Sequence, residues 1–157
     1  MARALASTLR LPHVELDALH HGPGWVPRPS FRSDVEAMLA HRRWVTEYQY
    51  PAVQPLLLSQ AQVVVWLDHP LPLVARRLIF RSVVRAVSRR PLCNGNVERV
   101  RTWVRASHPL RVVLSREFVA MRRDNTEKFG AAAKRGVVVV RLRGARQAEQ
   151  WLQRQEV

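Results

Sequence analysis

The chain opens Ala2-Arg3-Ala4-Leu5-Ala6-Ser7-Thr8-Leu9-Arg10-Leu11 and runs at once into Pro12-His13-Val14-Glu15-Leu16-Asp17, then His20-His21-Gly22-Pro23-Gly24-Trp25. Leu5 and Leu9 recur at helical spacing and Pro12 ends the pattern, so the spacing predicts a helix over 2–11. The short apolar run 13–16 then reads as a strand closing on a carboxylate. Open α/β sheets bind ligands at the carboxyl ends of their strands, so Asp17 stands where a ligand would be met. Asp17 as the cap of a segment beginning at Ala18 is an equally good local reading.

Outward from that start the pattern alternates. A Gly/Pro-rich loop, 22–30, leads to a helix from Phe31 to about His41, with Val35, Met38 and Leu39 on one face. A short strand over 44–46 follows, and Pro51 to about Ser59 reads as a helix begun by proline. The run Gln62-Val63-Val64-Val65-Trp66-Leu67 has the continuous β-branched character of a strand buried in a parallel sheet. Asp68, which with His69 precedes Pro70, reads as a cap or turn residue. An Arg-rich helix is expected over about 71–89, a turn at Cys93-Asn94-Gly95-Asn96, helical segments near 97–106 and 110–133, a strand at 137–142 and a final helix over 145–155. Strands alternating with helices imply right-handed βαβ units around a mainly parallel sheet.

Length and composition set the frame. The 157 residues, 47% hydrophobic and 24% charged, suit one globular domain, 1–157. The apolar run 63–67 is far below the roughly 18 residues of a membrane span, and no signal-peptide core is evident, so the expectation is a cytoplasmic protein without a membrane partner. Cys93 is the only cysteine, which excludes an intrachain disulfide and a cysteine metal cage. The net charge of +14 points to a phosphate-rich partner, nucleotide or nucleic acid. Only Lys128 and Lys134 are lysines, so the excess is carried by arginine, a skew that coding bias also produces.

The residues His13-Val14-Glu15-Leu16-Asp17-Ala18-Leu19-His20, Pro23-Gly24-Trp25, the Trp44-Val45 strand, Val64-Val65-Trp66-Leu67-Asp68 and the Asn94-Gly95-Asn96 turn resemble the adenylate-kinase-like P-loop proteins often labelled DNA topology modulation proteins. The resemblance covers about 2–101. It implies a three-layer P-loop kinase-like parallel sheet with flanking helices and an Arg-rich helical lid at about 76–100. It also implies ATP and Mg²⁺ as cofactors and a nucleotide or small phosphate-acceptor substrate. In that family a strand and a Gly-x-x-x-x-Gly-Lys-Ser/Thr loop precede the first helix, and the loop cradles phosphates. This chain contains no Gly-Lys dipeptide. The resemblance therefore implies a domain truncated at its start, with its central first strand and its phosphate loop missing.

By the same resemblance Asp17 would orient the acceptor, with Tyr50 beside it; Trp25, in the Gly/Pro loop near Asp17, reads as a wall of the same site, while the other tryptophans read as packing residues. The family's Asp-Gly-Asn-Tyr corresponds to Glu47-Tyr48-Gln49-Tyr50, so Glu47 would hold Mg²⁺ through water; a solvated or Arg-paired glutamate is the plainer reading. Arg77, Arg81, Arg85 and Arg89 recur every four residues along one helical face, with Leu73, Leu78, Val84 and Val87 packing elsewhere. The resemblance makes Arg77, Arg81 and Arg85 clamps for transferring phosphates; a solvated basic face is the alternative. The adjacent His20 and His21 point in different directions and read as loop polarity rather than metal ligands. Two functions stay open: ATP-dependent phosphoryl transfer, inactive in this chain for want of the loop, and a non-catalytic basic nucleic-acid- or nucleotide-binding relative.

Overall fold

The structure is a computed structural model that describes residues 1–88, 94, 115 and 117–155. The Arg-rich helix forms over Leu71–Ser88. The segment expected as a helix at 97–106, the residues 110–114 and 116, and the turn at 93–96 apart from Asn94 lie outside the described residues, as do Arg89 and the side chains of Arg85 and Val87. Among the described residues no helix is long and apolar enough to cross a membrane.

Elements run in the order α1 (Ala2–Leu9), β1 (His13–Val14), α2 (Leu16–His20), a 3-10 turn (Pro23–Trp25), α3 (Phe31–Ala40), β2 (Val45–Thr46), α4 (Gln54–Gln60), β3 (Val63–Leu67), α5 (Leu71–Ser88), α6 (Glu117–Lys134), β4 (Val138–Leu142) and α7 (Ala145–Gln153). The protein is a mixed α/β chain whose strands form two small parallel sheets. β1 pairs with β2 in the register His13 to Val45, and β3 with β4 in the register Val63 to Val138. Length alone points to one domain; the contacts group the described residues 1–61, 94 and 149–155 into one compact unit and 62–88, 115 and 117–148 into another.

In the first unit, α1 ends at Leu9, two residues short of Leu11. Arg10 adopts φ 52, and the amides of Arg10 and Leu11 bond back to Ser7 and Ala6, a left-handed ending that turns the chain before Pro12 does. The expected strand 13–16 is only two residues long, because Leu16 and Asp17 start α2. Leu16, Phe31, Val35, Met38, Val53 and Leu57 form the core, with Val14, Leu39, Trp44 and Tyr50 packed against it. Leu16 and Val35 are fully buried, one held by α2 and one by α3. Proline does open α4, but it is Pro55 and not Pro51, which lies in the preceding turn.

In the second unit, the β3–β4 ladder runs from Val63 to Leu67 against Val138 to Leu142. The continuous apolar run implies burial on both faces, yet Val63, Leu67 and Val138 are exposed, since a two-stranded sheet leaves its ends open. Leu78 of α5 and Phe118 of α6 form a small core with Val74 and Ala75. Val84, expected to pack, is exposed, as are Ile79, Phe80 and Val83.

Candidate functional site

Asp17 is neither a strand-end residue nor a cap. It sits in the first turn of α2, whose N-cap is Glu15, and no side chain caps that end. Its carboxylate instead accepts a hydrogen bond from the Tyr50 hydroxyl at 2.5 Å. The same hydroxyl lies 3.2 Å from His21 Nε2. His21 meets the Trp25 ring edge-on, with centroids 5.2 Å apart. The structure thus joins Asp17, Tyr50 and Trp25 in one continuous group through His21.

The two histidines are part of a ring cluster and not of a polar loop. His20 stacks on Tyr50, centroids 4.1 Å apart and planes 14° from parallel, and meets Phe31 edge-on at 4.8 Å. Residues at the end of a short helix diverge, and that divergence sends His20 to the Tyr50 face and His21 to the Tyr50 hydroxyl and Trp25. Burial lowers the His20 pKa below its ordinary value, the neighbouring His21 lowers it further, and Asp17 partly opposes both. His20 is therefore a neutral ring at neutral pH. From outside these elements, Asn94 donates to the carbonyls of Ala18, at 3.0 Å, and of His21.

Backbone strain gathers at the same place. Non-glycine residues at positive φ are Arg10, Trp25, Tyr50 and Asn94 among the described residues, and the last three all belong to this cluster. A left-handed backbone is costly for aromatic residues and persists where surrounding contacts enforce it; such residues concentrate at ligand sites. No periodicity in the sequence signals this. The signal lies in three-dimensional convergence of 17–25 with residue 50.

Glu47 lies beside this cluster in sequence but has a different partner. Its Oε1 lies 2.8 Å from His13 Nε2, across the β1–β2 pair, and its Oε2 is buried without a hydrogen-bond partner. A carboxylate oxygen of that kind suits a cation, but among the described residues no group of three or more His, Cys, Asp or Glu side chains converges on one point. Arg77 and Arg81 belong to the second unit, exposed on α5; the pKa of His69 there is lowered first by burial and then by the charge of Arg77. Arg85 lies on the same helix with its side chain outside the described residues.

Asp68 is the residue that sequence reasoning misjudged. It is not a turn cap: its side chain is 1% exposed and takes Arg122 and Arg141 as partners. Arg122 Nη2 donates at 3.0 Å and Arg141 donates from Nε at 2.8 Å and Nη2 at 2.6 Å; Arg122 Nε bonds the other oxygen. Arg143 Nε stands 3.7 Å away. The Arg122 hydrogen bond, with help from Arg141 and against burial, holds the Asp68 carboxyl below the usual carboxylate range. The signal was available in the register: Trp66 faces Arg141 and Leu67 faces Leu142, so an acid just past β3 meets arginines at the end of β4.

No protein-family model, no curated protein and no solved structure matches this chain.

Proposed function

We propose that the first unit is the acceptor-binding half of a kinase-like protein of the P-loop type, taking a nucleotide or small ring-bearing phosphate acceptor against Asp17. The observation that carries this reading is the union of Asp17, Tyr50 and Trp25 in a ring-lined, backbone-strained cluster. An acceptor hydroxyl or amine would donate to the Asp17 carboxylate, as the Tyr50 hydroxyl does. The neutral faces of His20 and Trp25 would stack on its ring. Strand pairing supports the same reading. In the resembled order a central strand separates β2 from β3, and here each of those strands has its ladder elsewhere, with β1 and with β4.

The donor side does not fit. ATP would supply the phosphoryl group, but a β-phosphate needs an amide cradle and a lysine, and these 157 residues hold no Gly-Lys dipeptide. Glu47 offers Mg²⁺ one buried oxygen and nothing to complete a shell among the described residues. We therefore propose binding without turnover for residues 1–157. Arg77, Arg81 and Arg85 remain phosphate clamps within this proposal only.

The test is a titration of nucleosides and nucleoside monophosphates followed by the His20 and His21 ring resonances and by tryptophan fluorescence. Saturable binding that Asp17→Asn weakens by about tenfold or more is expected, the loss of a hydrogen bond to a charged group. Equal binding by Asp17→Asn overturns the reading. Oligonucleotide binding that falls steeply with salt and ignores Asp17 would favour the basic nucleic-acid-binding alternative.

A further inference from the structure

Arg143 has no structural employment at Asp68. A carboxylate oxygen offers about two lone-pair positions, and Asp68 Oδ2, the oxygen that Arg143 faces, already takes three N–H groups from Arg122 and Arg141. Arg143 approaches to 3.7 Å, makes no side-chain hydrogen bond among the described residues, and adds a third positive charge beside two others. Three guanidiniums against one carboxylate leave a surplus of two charges in one spot. Among the described residues no other acid pairs with any of the three.

The arrangement is also held in place. The Arg141 guanidinium lies over the Trp66 ring at 4.3 Å, and Trp66 is in turn set edge-on by Phe129 of α6 at 5.5 Å. Arg122 shares α6 with that phenylalanine. Asp68 is buried, whereas the side chains of Arg122, Arg141 and Arg143 are 43%, 37% and 65% exposed. The acid is thus a buried anchor and the guanidiniums remain open to solvent with unspent donors, in the planar fork that matches a tetrahedral oxyanion.

We infer that Arg122, Arg141 and Arg143, gathered on Asp68 beyond the carboxyl ends of β3 and β4, form a binding site for a small phosphate-type oxyanion. A dianion there would cancel the surplus charge and give Arg143 the hydrogen bonds it lacks. The site lies wholly in the second unit and does not depend on the Asp17 reading.

Inorganic phosphate, titrated at ionic strength held constant with sodium chloride, tests this by calorimetry and by the rise in melting temperature that ligand binding produces. Arg143→Gln removes no structural hydrogen bond, so its phosphate-free melting temperature should equal that of the unaltered protein. Its phosphate affinity should fall about tenfold, the worth of a charge-assisted hydrogen bond. Arg123→Gln, one residue from Arg122 on the same helix and paired with Glu127, should leave affinity unchanged. A parallel titration with ribose 5-phosphate distinguishes sources: binding of both assigns a phosphate group on a carrier, and binding of inorganic phosphate alone assigns the free anion. Absence of saturable binding beyond chloride, or an equal loss in Arg123→Gln and Arg143→Gln, overturns the inference.

Discussion

Two carboxylates follow parallel strands in this protein, and their surroundings are opposite. Asp17, three residues past β1, meets a phenol within a cluster of aromatic and imidazole rings; Asp68, directly past β3, meets three guanidiniums. One acid is half-buried and shares a single short hydrogen bond. The other is buried and accepts four N–H groups from two arginines. The difference teaches that an acid is a candidate for binding only when its partners leave it something to give: Asp17 has one hydrogen-bond partner and room to accept another, whereas Asp68 serves by organising the cations around it.

The sharpest way to break that contrast is to delete each acid. Asp68→Ala leaves three guanidiniums facing one another at a packed site. It should cost about 2–3 kcal/mol in urea denaturation, less than a fully buried pair because the arginines keep access to water. A cost below that of Asp17→Ala would show that the Asp68 cluster does not brace the second unit. Next in size is Tyr50→Phe, which removes the hydroxyl shared by Asp17 and His21 and should cost about 1 kcal/mol, since water can reach Asp17 in its place. An unchanged midpoint with unchanged His21 resonances would mean that the hydroxyl does not join the two.

The smallest effect distinguishes the units by pH. His20 in the first unit and His69 in the second both have pKa values lowered chiefly by burial, with Arg77 adding to the effect at His69. The unfolded chain then binds protons that the native state resists, so stability is full above the ordinary histidine pKa of about 6.5 and declines as pH falls below it. Asp68 runs on a different window: its depressed carboxyl contributes stability that persists above about pH 4 and disappears as pH falls through its native value. His20→Phe should flatten the slope between pH 6.5 and about 5 without altering the steeper loss below pH 4. An unchanged slope between pH 6.5 and about 5 in His20→Phe would show that burial of His20 does not carry it.

Much of the fold was legible because its signals are local. The apolar face of α3 and the Val63–Leu67 run declare themselves within a few residues, and the structure ends each within a residue or two of expectation. The two-residue strands β1 and β2 were legible only in outline, since their limits depend on where Leu16 sinks into the core. The candidate residues came by two routes, Asp17 and Tyr50 through the family resemblance and Trp25 through its place in the Gly/Pro loop, and the structure brings the three together although Tyr50 is 33 residues from Asp17. His20 and His21 were seen but misassigned, because adjacency argues against a shared metal and says nothing of rings from elsewhere. Asp68 was misread for the same reason: its local context, Asp-His-Pro, spells a turn, while its partners lie 54 and 73 residues on. A buried ionic cluster is a property of register, and register appears only once the strands are paired.

The left-handed conformations at Trp25 and Tyr50 have a consequence beyond strain. The backbone that carries such a ring has few neighbouring conformations to visit, so under the proposed acceptor reading the walls beside Asp17 would need little backbone rearrangement when a ligand enters. Association there would sacrifice little further freedom of the protein, and its heat should reflect contacts made and water displaced more than chain ordering. By the same logic the site should be unforgiving: a ligand a little too wide would find walls that do not yield.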